Sequence, residues 1–256
     1  MDNTATERLR TFYYGRRKLV HYTRTAQPSY SEEALTPADF LDPREGDEFV
    51  HGPRHAEDVR HLFAIFRHLY RTNPLVAVFS NAKLLWDVEG LPQPAPDVVV
   101  IPGVEALDSV PATFDVRAAD QRPAFVLEVV SPRLAAGDLE DKVAIYAQAG
   151  VREYFIVDSG EREETHNIAY AVLGYRLQKG DYQPIAPDEQ GSLYSEVNRV
   201  WIGPDQARQR VVVTSAQSGE ELLPDEEGVA SPAALRAEAT FRATSIAAQL
   251  NFLRGE

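Results

Sequence analysis

The sequence predicts an α/β fold, with one sheet, a crossover helix, an antiparallel extension of the sheet and a C-terminal helix. Three observations carry this. An apolar run at 124–130, a helical pattern at about 138–149 and a second apolar run at 153–158 follow one another directly. That is the order of two strands of one sheet joined by a crossover helix. Short segments at 75–80, 83–88 and 97–101 are rich in β-branched or aromatic residues and bounded by Pro, Gly, Asn or Asp, as strands are. After residue 167 further strand-like segments, among them 168–177, 192–202 and 209–214, extend the sheet.

The elements follow in order. Residues 1–30 read as irregular or weakly strand-like, and 37–53 as rich in turns, with Asp42-Pro43 and Glu45-Gly46-Asp47. A helix is expected over 53–71, where Val59, Leu62, Phe63, Phe66, Leu69 and Tyr70 recur at spacings of three and four. Pro53 suits its first turn. In the helix at 138–149, Asp138 is a candidate N-cap and Gly150 stands where a C-terminal glycine is favoured. Residues 221–230 form an acidic, proline-containing linker. Ser231-Pro232 then opens a final helix, in which Ala239, Ala243, Ile246, Leu250 and Leu253 repeat at spacings of four and three. That helix either docks on the domain or pairs with a second subunit as a homodimer.

The chain has 256 residues, a net charge of −13 and no cysteine. Its length allows one substantial core. Disulfides and thiolate metal sites are excluded. No stretch is apolar enough to span a membrane, and the N-terminus lacks a signal-peptide pattern, so a cytoplasmic protein is expected. The acidic balance argues against a general nucleic-acid binder, which usually carries a basic face. Residues 1–30 differ, with six basic groups against two acidic ones and Phe12, Tyr13, Tyr14 and Tyr22 among them. The plain reading is a strand pair with a solvated basic face; a nucleic-acid arm is the other.

Three residues carry the candidate chemistry. Asp97 opens an apolar run and Glu128 sits in the middle of one. A carboxylate there is costly to bury unless it is paired, hydrogen-bonded or bound to a metal. Side chains alternate along a strand. Asp97 therefore shares a face with Val99 and Ile101, and Glu128 shares one with Val126 and Val130. On neighbouring strands the two carboxylates converge on one cation. Mg²⁺ takes carboxylate and water oxygens, and such an ion assists deprotonation of a water and neutralises charge on a phosphoryl oxygen. Lys142, on the helix after Glu128, is placed to stabilise the same charge. By spacing alone, Lys142 reads first as an ordinary i,i+4 ion-pair partner of Asp138.

The order Pro96-Asp97, then Glu128-Val129-Val130-Ser131-Pro132, then Asp138-x-x-x-Lys142-x-x-x-Tyr146, then Gly150-Val151-x-Glu153-Tyr154-x-x-x-Asp158 resembles the Uma-two family. This is a bacterial group within the PD-(D/E)XK nuclease superfamily. The match is strongest over 96–158 and extends more loosely from about Leu35 to Leu223, including His55. The resemblance implies a restriction-endonuclease-like central mixed β-sheet flanked by helices. It implies Asp97 and Glu128 as metal ligands with the Val129 backbone carbonyl, Lys142 as the catalytic lysine, and Mg²⁺ or Mn²⁺ as the cofactor. One departure stands out. The superfamily's lysine position, two after Glu128, is Val130, and the lysine comes instead from the following helix. Glu57 is the nearest candidate for an additional helix acid and is not assigned that role.

The expected organisation is a basic segment at 1–30, a restriction-endonuclease-like domain at 31–223, and a linker with C-terminal helix at 224–256. The leading function is a metal-dependent endonuclease hydrolysing DNA phosphodiesters by metal-activated water. A catalytically inactive interaction module with the same fold is the alternative, and a carboxylate-pair glycosidase a third. Other patterns are weaker. His51, His55, His61 and His68 match no H-E-x-x-H site and read as helix-surface histidines. Ser131 lacks a nucleophile-elbow context.

Overall fold

Consecutive rather than alternating apolar residues at Val98–Ile101 and Phe125–Leu127 call for strands covered on both faces. The computed structural model describes residues 14–23, 26–50, 53–107, 109–130, 136–158 and 169–224. In chain order the elements are β1 (Gly15–Thr23), β2 (Ala26–Ala34), α1 (Pro37–Leu41), β3 (Asp47–Phe49), α2 (Pro53–Tyr70), β4 (Val76–Phe79) and β5 (Lys83–Leu85). There follow β6 (Val98–Pro102), β7 (Thr113–Asp115), α3 (Val116–Ala119), β8 (Phe125–Val130), α4 (Ala136–Gln148) and β9 (Glu153–Asp158). The last are β10 (Ala171–Gln178), β11 (Asp181–Pro184), β12 (Leu193–Ser195), β13 (Val200–Asp205) and β14 (Arg210–Ser215).

The central sheet has six strands among the described residues, in the order β11-β10-β9-β8-β6-β4. The β8–β9 pair, joined by α4, is parallel, and the other neighbours are antiparallel. The fold is thus α/β with a central mixed sheet. On one face, α2 and the small β12–β14 sheet bury Val98, Val100, Phe125, Leu127, Phe155 and Val157. On the other, α4 and the β5–β7 region bury Val99, Ile101, Val126, Tyr154 and Ile156. The strand periodicity therefore sends Asp97 and Glu128 to the α4 face.

Differences from the sequence reading have local causes. The turn-rich stretch at 37–53 holds α1 and β3, both too short to show periodicity. Thr36 caps α1, with Asp39 closing the capping box and Pro37 in the first turn. Strands β1 and β2 pair antiparallel, with a shift of register between His21 and Thr23, and β1 also pairs with β3. Three basic residues of β1 are paired within the protein. Arg16 meets Glu32 and Glu48, Arg17 meets Asp39 and Asp47, and Lys18 meets Glu48. For these residues the strand reading of the basic segment suffices; 1–13 lie outside the described residues. The segment expected at 192–202 is two strands, turned at Arg199, whose φ is 54°. With β14 they pair in their own sheet, while β10 and β11 supply the antiparallel extension of the central one. The C-terminal helix expected after Ser231 lies outside the described residues. No helix among those described is long and apolar enough to cross a membrane.

Candidate active site

The β6–β8 register brings the two carboxylates together. Val98 lies opposite Leu127 and Val99 opposite Val126. One step further places Asp97 opposite Glu128, and directly opposed residues share a face at close Cβ spacing. This is the carboxyl end of the parallel pair β8–β9, where open α/β sheets place their sites. Asp97, Glu128 and Lys142 are all buried, at 5%, 4% and 4% exposure.

Each carboxylate has its own partners. The Val129 N–H donates to Asp97 Oδ2 at 2.8 Å, and His55 Nε2 lies 3.3 Å from the same oxygen. Lys142 Nζ lies 2.8 Å from Glu128 Oε1, and the Tyr146 hydroxyl donates to that oxygen at 2.7 Å. Lys142 is thus held by Glu128; the side chain of Asp138, its partner in the ordinary reading, lies outside the described residues. Lys142 and Tyr146 are one helical turn apart and meet the same oxygen from α4. The helix is fixed at its far end by a Schellman motif. Gly150, at φ 75°, lets its N–H reach the Ala147 carbonyl and the Val151 N–H reach that of Tyr146, both at 3.0 Å.

Pro96 has a structural consequence. Continuing the register once more sets Pro96 opposite Val129. In an antiparallel hydrogen-bonded pair each residue gives its N–H and receives at its carbonyl. The Pro96 carbonyl instead accepts from the Asn81 N–H at 2.9 Å. The Val129 N–H turns to Asp97, and Pro96 has no N–H to offer the Val129 carbonyl.

The charges divide unequally. Burial alone would raise the Asp97 pKa, but the hydrogen bond and charge of His55, the Val129 N–H and Lys142 outweigh it and hold the carboxyl below its usual range. Burial lifts the Glu128 pKa above the usual range; the charge of Asp97 adds to this, and Lys142 and Tyr146 only partly offset it. Burial would lower His55, but Asp97, Glu128 and Asp58 together raise it. The Tyr146 hydroxyl is pushed well up, by burial and then by Glu128.

Mg²⁺ takes hard oxygen donors, one or two carboxylates and several waters. Asp97, Glu128 and the Val129 carbonyl are such a set, and these residues fit a hard divalent cation. Among the described residues, no three His, Cys, Asp or Glu side chains are gathered to hold a metal by themselves. The protein's share would be two carboxylates and a carbonyl.

Three residues near this site were not singled out as functional by the sequence. His55, which the spacing marks as a helix-surface histidine, is buried against Asp97. Its signal was position, four residues before Val59 on the apolar stripe of α2. Tyr146 stands in the family motif one turn after Lys142, with no role attached to it. Phe40, on α1, places its ring centroid 4.3 Å from Lys142 Nζ; the Thr36-x-x-Asp39 capping pattern was its only local sign. Glu57 is exposed, while Asp58, next to it, is buried and accepts from the Tyr170 hydroxyl at 2.8 Å. Ser131 and His51 lie outside the described residues.

Fold and site together define a mixed-sheet α/β protein with a carboxylate–lysine cluster at its strand ends. The chain belongs to the Uma2 family, described as "Putative restriction endonuclease", whose model matches residues 48–203. No protein of curated function matches the chain. Among solved structures it is similar to one described as "a putative nuclease belonging to DUF820 from Anabaena variabilis ATCC 29413". The two are 12% identical with a TM-score of 0.43, over 60% of this chain and 80% of that one.

Proposed function

We propose that this chain is a metal-dependent endonuclease that hydrolyses DNA phosphodiester bonds. The observation that carries the reading is the opposed pair Asp97 and Glu128, buried at the strand ends with the Lys142 ammonium 2.8 Å from Glu128. Membership of a family described as "Putative restriction endonuclease" supports the substrate class. Asp97, Glu128 and the Val129 carbonyl would hold Mg²⁺ or Mn²⁺. When bound, such an ion activates a water and offsets charge on the phosphoryl oxygen.

The residues then have separate tasks. Asp97, with its lowered pKa, is a carboxylate at neutral pH. Glu128 is oriented by Lys142 and Tyr146, both of which meet its Oε1. Lys142 puts a positive charge where negative charge builds on the phosphate, in surroundings that exclude water. Phosphate entry requires the site to open, because all three side chains are buried.

The test is cleavage of plasmid and linear DNA with Mg²⁺ or Mn²⁺. Asp97→Ala is expected to reduce cutting to background. Lys142→Met should slow it roughly a hundredfold, the usual cost of losing one electrostatic stabiliser. A variant at Asp97 that cuts as fast as the parent would sink the reading.

One observation favours a second reading, an inactive interaction module. Each carboxylate already has a cationic neighbour inside the protein, Lys142 for Glu128 and His55 for Asp97. A cluster so neutralised can be structural. Calorimetric titration separates the two, since no heat of Mg²⁺ or Mn²⁺ binding at millimolar concentration would favour the module.

A further inference from the structure

We propose that Phe40 is a positioning residue for Lys142: its ring face gives the ammonium a second partner, so that a divalent cation can share Glu128. The inference rests on the metal-site part of the nuclease reading. Lys142 Nζ lies 2.8 Å from Glu128 Oε1 and 4.3 Å from the Phe40 ring centroid, over the ring face. An aromatic face attracts a cation through its quadrupole, most strongly where water is excluded. Lys142 is 4% exposed, so water is scarce around it.

The ring is held from several sides. Thr36 and Asp39 close a capping box on α1. Arg17 joins Asp39 to Asp47 on β3, at 2.6 Å to each. Lys83 Nζ donates to Asp42 and to the Pro43 carbonyl, both at 2.7 Å. Phe49 meets the Phe40 ring edge-on at 5.5 Å. This anchoring ties a five-residue helix to both the N-terminal sheet and the central domain, and Phe40 lies outside the residues the family model matches.

The electrostatics require such a partner. An ammonium and a dication drawn to one carboxylate repel each other. As Glu128 turns to a cation, Lys142 loses part of its countercharge where little water can replace it. A ring face compensates without competing for the oxygen ligands. Lys142 then keeps its position beside the reacting phosphate.

The experiment is a double-mutant cycle read by Mn²⁺ calorimetry, with circular dichroism confirming each fold. Phe40→Leu keeps an apolar side chain and removes the ring. It should weaken Mn²⁺ binding by roughly threefold to thirtyfold, the span of cation–π attraction converted to affinity. Phe40→Trp should retain parental affinity. In a Lys142→Met background, which removes the ammonium, Phe40→Leu should change affinity by less than about twofold. Equal binding by the parent and Phe40→Leu, an undiminished loss in the Lys142→Met background, or no Mn²⁺ binding by the parent would each overturn the proposal. A parent that shows the coupling yet cuts no DNA defeats the nuclease reading and leaves Phe40 its role. A parent that cuts DNA without the coupling defeats the Phe40 role alone.

Discussion

Asp97 and Glu128 carry like charges on adjacent strands, and the protein separates them by giving them different partners. Asp97 takes a backbone N–H and an imidazole; Glu128 takes an ammonium and a phenol. Their pKa values move apart, as expected of neighbouring carboxyls. The two acids were legible in the sequence because each breaks an apolar run. Lys142 was not separable by spacing from an ordinary helix ion pair, since only the β6–β8 register shows which carboxylate lies under α4. His55 escaped because its partner is 42 residues away in the chain. Its pKa is raised above the ordinary 6.5. A raised basic group stabilises the fold fully below its unfolded pKa, and that stability is lost as pH rises through the folded value. His55→Gln should therefore cost about 1–3 kcal/mol in urea unfolding near pH 6, the range for a lost bond to a charged group. The cost should shrink near pH 9. Equal losses at both pH values would mean that the imidazole acts through packing alone.

At the scale of elements, long apolar runs announced themselves and short capped pieces did not. The strand at 125–130, helix α4 and the strand at 153–158 follow from residues whose burial needs are uniform along the segment. Helix α1 depends on its cap instead. Asp39 is held at a pKa of about 2, first by the Thr36 side chain and backbone and then by Arg17. Its unfolded value is near 3.8, so its contribution is present above that pH and is lost as pH falls toward 2. Thr36→Ala should cost about 1 kcal/mol, as lost N-caps do. Asp39→Asn should remove the part of the stability loss that falls between those two pH values. Acid titrations of the two proteins that superimpose would show that the cap does not hold α1. Because α1 carries Phe40, both substitutions should also weaken Mn²⁺ binding if the ring positions Lys142.

For the whole molecule, the sequence marked the long apolar strands but not the order in which they pair. Nothing local places β6 between β4 and β8, because that choice is made by the two layers packed on either face. The joint between the central sheet and the β12–β14 sheet was equally hidden. It is Glu153, 1% exposed, which accepts from the Ser195 hydroxyl at 2.6 Å and from the Glu196 N–H and Arg176 Nε at 2.9 Å. Removing one member of a buried charged network leaves its partners unmatched. Glu153→Ala should cost roughly 3–5 kcal/mol in denaturant unfolding, whereas an exposed acid such as Glu57→Ala should change stability by less than about 0.5 kcal/mol.

The burial of β8 and β9 on both faces has a kinetic consequence. Amides in such strands exchange with solvent only through the rarest openings, while margins with fewer buried contacts open more often. Glu128 and Val129 lie in the doubly covered centre, whereas α1 and the β1–β3 sheet lie outside it. The outer layer can therefore open while the carboxylates keep their register. Deuterium uptake should divide the chain accordingly, slow at 125–130 and 153–158 and fast at 15–23 and 26–49. Equal uptake in both regions would mean that the strands and their cover come apart only together.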